Sequence, residues 1–265
     1  MKRLSTRSTA RQAARSLLLV LPVALLAGGC VRTLHEADFF YPRRRALVPD
    51  RVIRENVEIP AGDGTMLRGW LLRPEDPRGS LIYFYGNGET VQDVQARTFW
   101  LARHFSLRVL SVDYRGYGFS DGEPSAAALF ADAVTIRDSM ERRLGDGPVI
   151  AYGRSLGSFV ALKLASERQL DGLILEGTVD RLENALPQLR RLAPWYVRWF
   201  VRPRLGDDLR AHEPPVSVIA RVGAPLLVIQ GEQDELFPPE LARRLFEASP
   251  ASDKQWCPVP GAGHN

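Results

Sequence analysis

From residue 52 onward, short apolar runs alternate with longer stretches in which apolar residues return at helical spacing. The runs at 52–59, 66–72, 81–85, 108–112, 149–152, 172–175, 225–229 and 255–259 read as strands. Between the later ones lie helical patterns. In 125–144, Leu129, Ala133, Ile136, Met140 and Leu144 fall three or four apart and form one buried stripe. Thr90 is placed to cap a helix beginning at Val91, and Pro238-Pro239 to open another. Strands alternating with helices predict an α/β fold: a mostly parallel sheet of eight strands flanked by helices. The opening strands, joined at Ala61-Gly62-Asp63-Gly64, predict an antiparallel edge.

The first thirty residues follow a different pattern. Lys2, Arg3, Arg7, Arg11 and Arg15 precede an apolar run from Leu17 to Ala27, then Gly28-Gly29-Cys30, with no acidic residue among them. That is a secretory signal, with an apolar run too short to span a bilayer comfortably. The net charge of +4 originates here. Without these five cations, the 35 basic residues fall below the 31 acidic ones, so no nucleic-acid partner is expected. The only other cysteine, Cys257, lies in an apolar run and reads as a small buried hydrophobe. Residues 30–50, with Phe39-Phe40-Tyr41-Pro42 and Arg43-Arg44-Arg45, read as a tether, the arginines as a solvated run.

Gly153-Arg154-Ser155-Leu156-Gly157 follows a strand and precedes a helical run. A sharp strand-to-helix turn leaves no room for side chains beside the serine and holds its hydroxyl above a helix N-terminus, where partial positive charge favours an oxyanion. A serine nucleophile needs a base. Of His35, His104, His212 and His264, chain order selects His212 or His264, and a loop directly after the last strand favours His264. For the acid that orients the base, Asp234 follows the strand at 225–229, and Glu176, ending the preceding strand, competes with it. The glycine-rich Tyr85-Gly86-Asn87-Gly88-Glu89 turn can aim main-chain N–H groups into the same site. Asn87 and Leu156 are the expected oxyanion donors.

These segments, with Asp113-Tyr114-Arg115-Gly116-Tyr117-Gly118-Phe119-Ser120, Gly231-Glu232-Gln233-Asp234 and Gly263-His264, resemble the α/β-hydrolase superfamily in its single-domain serine-hydrolase branch. The resemblance spans roughly residues 38–265. It implies a Ser155–His264–Asp234 triad hydrolysing an ester, thioester or amide through an acyl-enzyme, with a small acyl or peptide substrate and no cofactor or metal. Tyr85 stands where that family usually has histidine. Ala27-Gly28-Gly29-Cys30 resembles a bacterial lipobox. It implies a signal peptide over 1–29, lipid attachment at Cys30, and a membrane-anchored protein of the bacterial envelope. Val31 after the cysteine points to the outer membrane, facing the periplasm, in a Gram-negative host. The domain is then 51–265, with a cap-like insertion around 178–224. The cap residues Leu182, Leu186, Leu189, Leu192, Trp195, Tyr196, Trp199 and Phe200 either line an acyl pocket or pack on the domain. Two alternatives stand beside the enzyme: a non-catalytic envelope binding protein that retains the fold, and a C-terminally truncated hydrolase, since related domains continue past the histidine into a further helix.

Overall fold

Eight strands hydrogen-bond in the order β10-β9-β7-β6-β4-β5-β3-β2. They are β2 (Arg54–Pro60), β3 (Met66–Leu72), β4 (Gly79–Phe84), β5 (Leu107–Val112), β6 (Val149–Arg154), β7 (Gly172–Glu176), β9 (Leu226–Gly231) and β10 (Lys254–Val259). The computed structural model describes residues 30–42, 54–144, 147–194 and 201–265. β5, β4, β6, β7, β9 and β10 run parallel, while β2 and β3 form the expected antiparallel edge. Each of the eight apolar runs becomes one of these strands.

The chain crosses between parallel strands through α1 (Gln95–Phe105), α2 (Ala126–Leu144), α3 (Leu156–Glu167) and, later, a helix at Pro239–Ala248. All six residues of β4 are buried, as a central strand covered on both faces requires. On α2 the anticipated stripe buries Leu129, Ala133 and Ile136.

Two local expectations are corrected. Thr90 does not cap a helix at Val91. Its hydroxyl donates to Asp93 and its carbonyl accepts from the N–H groups of Asp93 and Val94, which closes a turn; α1 starts only at Gln95. Cys257 is exposed, because among the described residues β10 is the outermost strand of the sheet.

Between β7 and β9 the chain inserts a set of smaller elements, the cap. It contains α4 (Leu182–Leu192), β8 (Val201–Leu205), and the short helices α5 (Asp207–Arg210) and α6 (Pro215–Ile219). The Pro239–Ala248 helix is α7. Residues 30–42, within the span read as a tether, carry local structure of their own. β1 (Cys30–Leu34) pairs in parallel with β8 in a separate two-stranded ribbon, and the 3-10 turn Glu36–Phe39 follows it. The sequence carries no sign of it, because β1 has no apolar run of its own and its partner among the described residues is a strand in the cap. Residues 1–29, which carry the signal and lipobox pattern, and Arg43-Arg44-Arg45 lie outside the described residues. Among the described residues no helix is long and apolar enough to cross a membrane.

Candidate active site

Ser155 sits between β6 and α3 with φ 51° and ψ −115°, a conformation that costs an L-residue energy and is held by its surroundings. The flanking glycines permit the close approach. A Cβ on Gly153 would lie 2.1 Å from the carbonyl oxygen of Gly157, and one on Gly157 would lie 2.0 Å from that of Phe84. The Ser155 N–H donates to the Glu176 carbonyl at 2.9 Å. Leu156 is the first residue of α3, and a main-chain N–H at that position of a helix has no intrahelical acceptor.

The serine Oγ lies 2.9 Å from Nε2 of His264, and Nδ1 of that ring lies 2.8 Å from Oδ2 of Asp234. The loops after β6, β9 and β10 therefore bring together the three residues singled out in the sequence. Asp234 is buried, and its Oδ1 accepts the main-chain N–H groups of Leu236 and Phe237 at 2.9 and 2.8 Å. Phe237 meets the imidazole edge-on at 5.0 Å between centroids. Gly177, at φ +59°, backs the ring: a Cβ there would lie 3.3 Å from Cε1 of His264.

The competing acid is occupied elsewhere. Glu176 accepts from Arg97 at 3.3 Å and from the Tyr152 hydroxyl, and lies 3.4 Å from Nε of Arg154. His212 also lines the cleft, but its contacts are with Glu36 at 3.4 Å and the Phe130 ring.

The turn after β4 lies against the nucleophile, since a Cβ on Gly86 would be 3.5 Å from that of Ser155. Tyr85, in the position of the family's histidine, is fully buried. Its hydroxyl donates to Asp113 at 2.7 Å and accepts the Tyr114 N–H at 3.1 Å. Burial pushes the Asp113 carboxyl above the usual range, against the pull of donors from Phe119, Val91 and Tyr85. Gly86 N–H donates to Glu89, which in turn accepts from Arg154 at 3.0 Å.

Four contributors escaped the sequence reading. Arg154, nearly buried, reaches the Asn265 side chain at 2.7 Å and the His264 carbonyl at 3.4 Å, and so ties the histidine segment to the Glu89 turn. Gln230 donates to Asp234 at 2.9 Å; a glutamine closing an apolar strand was the available signal. Tyr117 and the Phe39–Tyr41 segment converge on the side chain of Asn87. Its Oδ1 accepts from the Tyr117 hydroxyl at 2.8 Å and from Tyr41 N–H at 3.1 Å, while Nδ2 donates to the Phe39 carbonyl.

Ser155 and His264 open into a cleft of about 1520 Å³, larger than the roughly 300–1,000 Å³ usual for small-molecule sites. Leu34, Phe39 and Phe40 form one wall; Phe159, Leu182 and Leu189 line another part. Of the cap residues left open between two roles, Leu182, Leu189 and Leu192 line the cleft, and Leu182 also packs on Val179, Phe237 and Leu241. Trp195, Tyr196, Trp199 and Phe200 lie outside the described residues.

An eight-stranded, mostly parallel sheet with a serine on the strand-to-helix elbow defines an α/β hydrolase. The chain belongs to the family described as serine aminopeptidase, S33, whose pattern matches residues 75–214. It is 32% identical over 266 residues to the uncharacterized protein Rv2307c of Mycobacterium tuberculosis, covering 95% of this chain and 89% of that one. It is 29% identical over 220 residues to protein bem46 of Schizosaccharomyces pombe, covering 80% and 71%. Its fold is similar to that of the Pyrococcus furiosus esterase Pf2001, with a TM-score of 0.63 and 18% identity over 83% of this chain and 90% of that one. It is also similar to an alpha-beta serine hydrolase homologue from Coxiella burnetii, with a TM-score of 0.59 and 18% identity over 83% and 91%. The protein is a hydrolase.

Proposed function

We propose that the protein is a serine hydrolase that cleaves an ester, thioester or amide through an acyl-enzyme on Ser155. The observation that carries this reading is the continuous relay from the Ser155 hydroxyl through His264 to Asp234, at 2.9 and 2.8 Å. With its proton on Nδ1 held by Asp234, the imidazole presents the Nε2 lone pair to the serine. As Oγ attacks the acyl carbonyl, the serine proton passes to Nε2 and negative charge develops on the carbonyl oxygen. The main-chain N–H groups of Leu156 and Asn87 are the donors assigned to that charge. His264 then protonates the leaving group. A water enters and gives its proton to the same nitrogen as its oxygen attacks the acyl carbon; the bond to Oγ then breaks, Nε2 returns the proton to the serine, and the acid leaves. Asp234 stays ionised throughout, and its role is to fix the tautomer and stabilise the imidazolium.

The apolar cleft favours a substrate with a sizeable apolar acyl group, and this reading needs no metal or organic cofactor. On the same reading Cys30 carries a lipid after removal of residues 1–29, and the enzyme works at the envelope membrane, on the periplasmic face of the outer membrane in a Gram-negative host. A fluorophosphonate probe tests the chemistry: it should label the wild type stoichiometrically at Ser155, and an acyl-length series should then rank substrates. A folded protein that neither labels nor hydrolyses any member of the series would instead be a binding protein retaining the hydrolase fold.

A further inference from the structure

The β1–β8 ribbon has two unlike faces. In register, Val31 lies beside Arg202 and Thr33 beside Arg204, while Arg32 lies beside Pro203 and Leu34 beside Leu205. Side chains alternate along a strand, so these pairs divide between the two faces. Arg32, Leu34, Pro203 and Leu205 line the cleft, and Arg32 is further neutralised by Asp38 at 2.9 Å. The other face carries Val31, 59% exposed, and the exposed Arg202 and Arg204. Among the described residues neither of these arginines has an ion-pair partner, and the four residues Val31, Thr33, Arg202 and Arg204 include no acid.

We infer that this outer face docks on an anionic phospholipid bilayer, which places the mouth of the cleft at the membrane surface. The charge and the size both favour a bilayer. Two cations without an ion-pair partner among the described residues, beside an exposed valine, suit anionic headgroups over a shallow apolar layer. Five residue pairs at about 3.3 Å per residue make a patch only about 17 Å long. Two strands make it roughly 10 Å wide, so its area is on the order of 170 Å², far short of the roughly 800 Å² per partner of a stable protein interface. The ribbon is also a wall of the cleft, so a docked ribbon would let an apolar substrate pass from the bilayer into the site without crossing water. Juxtamembrane arginines each add about fivefold to the affinity for an anionic surface, so the two should together give about thirtyfold.

Docking is independent of the hydrolytic reading and is measured without turnover. The mature chain, residues 30–265 on the reading above, carrying Cys30→Ser, Cys257→Ser and Thr33→Cys, would be labelled at position 33 with an environment-sensitive fluorophore. It would be titrated with vesicles of phosphatidylglycerol and phosphatidylethanolamine, or of phosphatidylcholine alone, each doped with nitroxide lipid as quencher. The expected result is a blue shift and quenching about thirtyfold more effective on the anionic vesicles, abolished by R202E with R204E and suppressed by high salt. Arg202→Gln with Arg204→Gln serves if charge reversal disturbs the ribbon, with circular dichroism as the check on folding. Equal quenching on both lipids, or quenching unchanged in the charge variants, would overturn the inference and assign membrane contact to another segment. A label that responds to polyglutamate and not to vesicles would also overturn it, in favour of an acidic protein partner.

Discussion

Gln230 and His264 donate to the same oxygen of Asp234: Oδ2 accepts Nε2–H of the glutamine at 2.9 Å and the Nδ1–H of the histidine at 2.8 Å. The orientation of the glutamine amide is fixed by its contacts. Nε2 faces two acceptors, Asp234 and the Phe237 carbonyl, so a flipped amide would set oxygen against oxygen. The price is a buried Oε1 with no partner among the described residues, an unpaired acceptor that costs roughly 1–3 kcal/mol. With two main-chain donors on Oδ1, the carboxylate is held by four hydrogen bonds, and the glutamine withdraws charge from the oxygen that faces the base.

Replacing Gln230 with methionine keeps the volume and removes that donor. Oδ2 then carries more negative charge toward His264 and favours the imidazolium. Because the base must be neutral to take the serine proton, the acid limb of kcat/KM should move to higher pH. Stability should change little, since one unsatisfied acceptor disappears while the Phe237 carbonyl loses its donor. Full pH profiles of both proteins decide the matter, and an acid limb that stays in place or moves down would count against the charge argument.

Ser155→Ala should lower kcat by about six orders of magnitude, because the triad residues act as a unit. Alanine adopts the positive φ of the elbow no more easily than serine, so the fold should persist. The check is a thermal melt matching wild type alongside the loss of both turnover and probe labelling.

Asp234→Asn should cost about 10⁴ in kcat by presenting the wrong hydrogen-bonding pattern to the imidazole. Glu176→Gln should cost far less. Its carboxylate answers Arg97, Tyr152 and Arg154, none of which proton transfer uses directly. Steady-state kinetics of the two variants rank the acids, and the reverse order would move the orienting role to β7.

The sheet was legible because each strand is an apolar run bounded by turn residues, and the triad because its residues close a strand or follow one. What the sequence concealed depends on distant pairing. β1 has no hydrophobic signature and acquires its partner some 170 positions later in the chain. Gln230 and Arg154 act by the direction of their side chains, which spacing does not report. Thr90 carried a good capping signal, but its hydroxyl closed a turn with Asp93 instead, and the helix began at Gln95, four residues after the expected start at Val91. The exposure of Cys257 follows from strand order, which composition does not encode.

The Asn87 side chain joins the lead-in segment to the turn assigned to the oxyanion. Its three contacts, to the Tyr117 hydroxyl, the Tyr41 N–H and the Phe39 carbonyl, leave it little freedom, and its own main chain is the proposed donor. Tyr117 is fully buried and lies outside the cleft lining, so Tyr117→Phe removes one contact without touching substrate. The hydroxyl also accepts from Tyr41 N–H at 3.0 Å, so its loss loosens both sides of the junction. A shift of about 1 Å in a catalytic group can cost about a hundredfold, and Tyr117→Phe should therefore lower kcat by about tenfold to a hundredfold while KM stays near wild type. Rates must be expressed per active site, titrated with the covalent probe, so that a smaller folded fraction is not mistaken for slower chemistry. Affinity for a boronic acid, which mimics the tetrahedral intermediate, should fall in parallel with kcat/KM. If kcat per titrated site and boronate affinity both hold at wild-type values, the junction only secures the lead-in, and the oxyanion donors are positioned by the Tyr85–Asp113 contact alone.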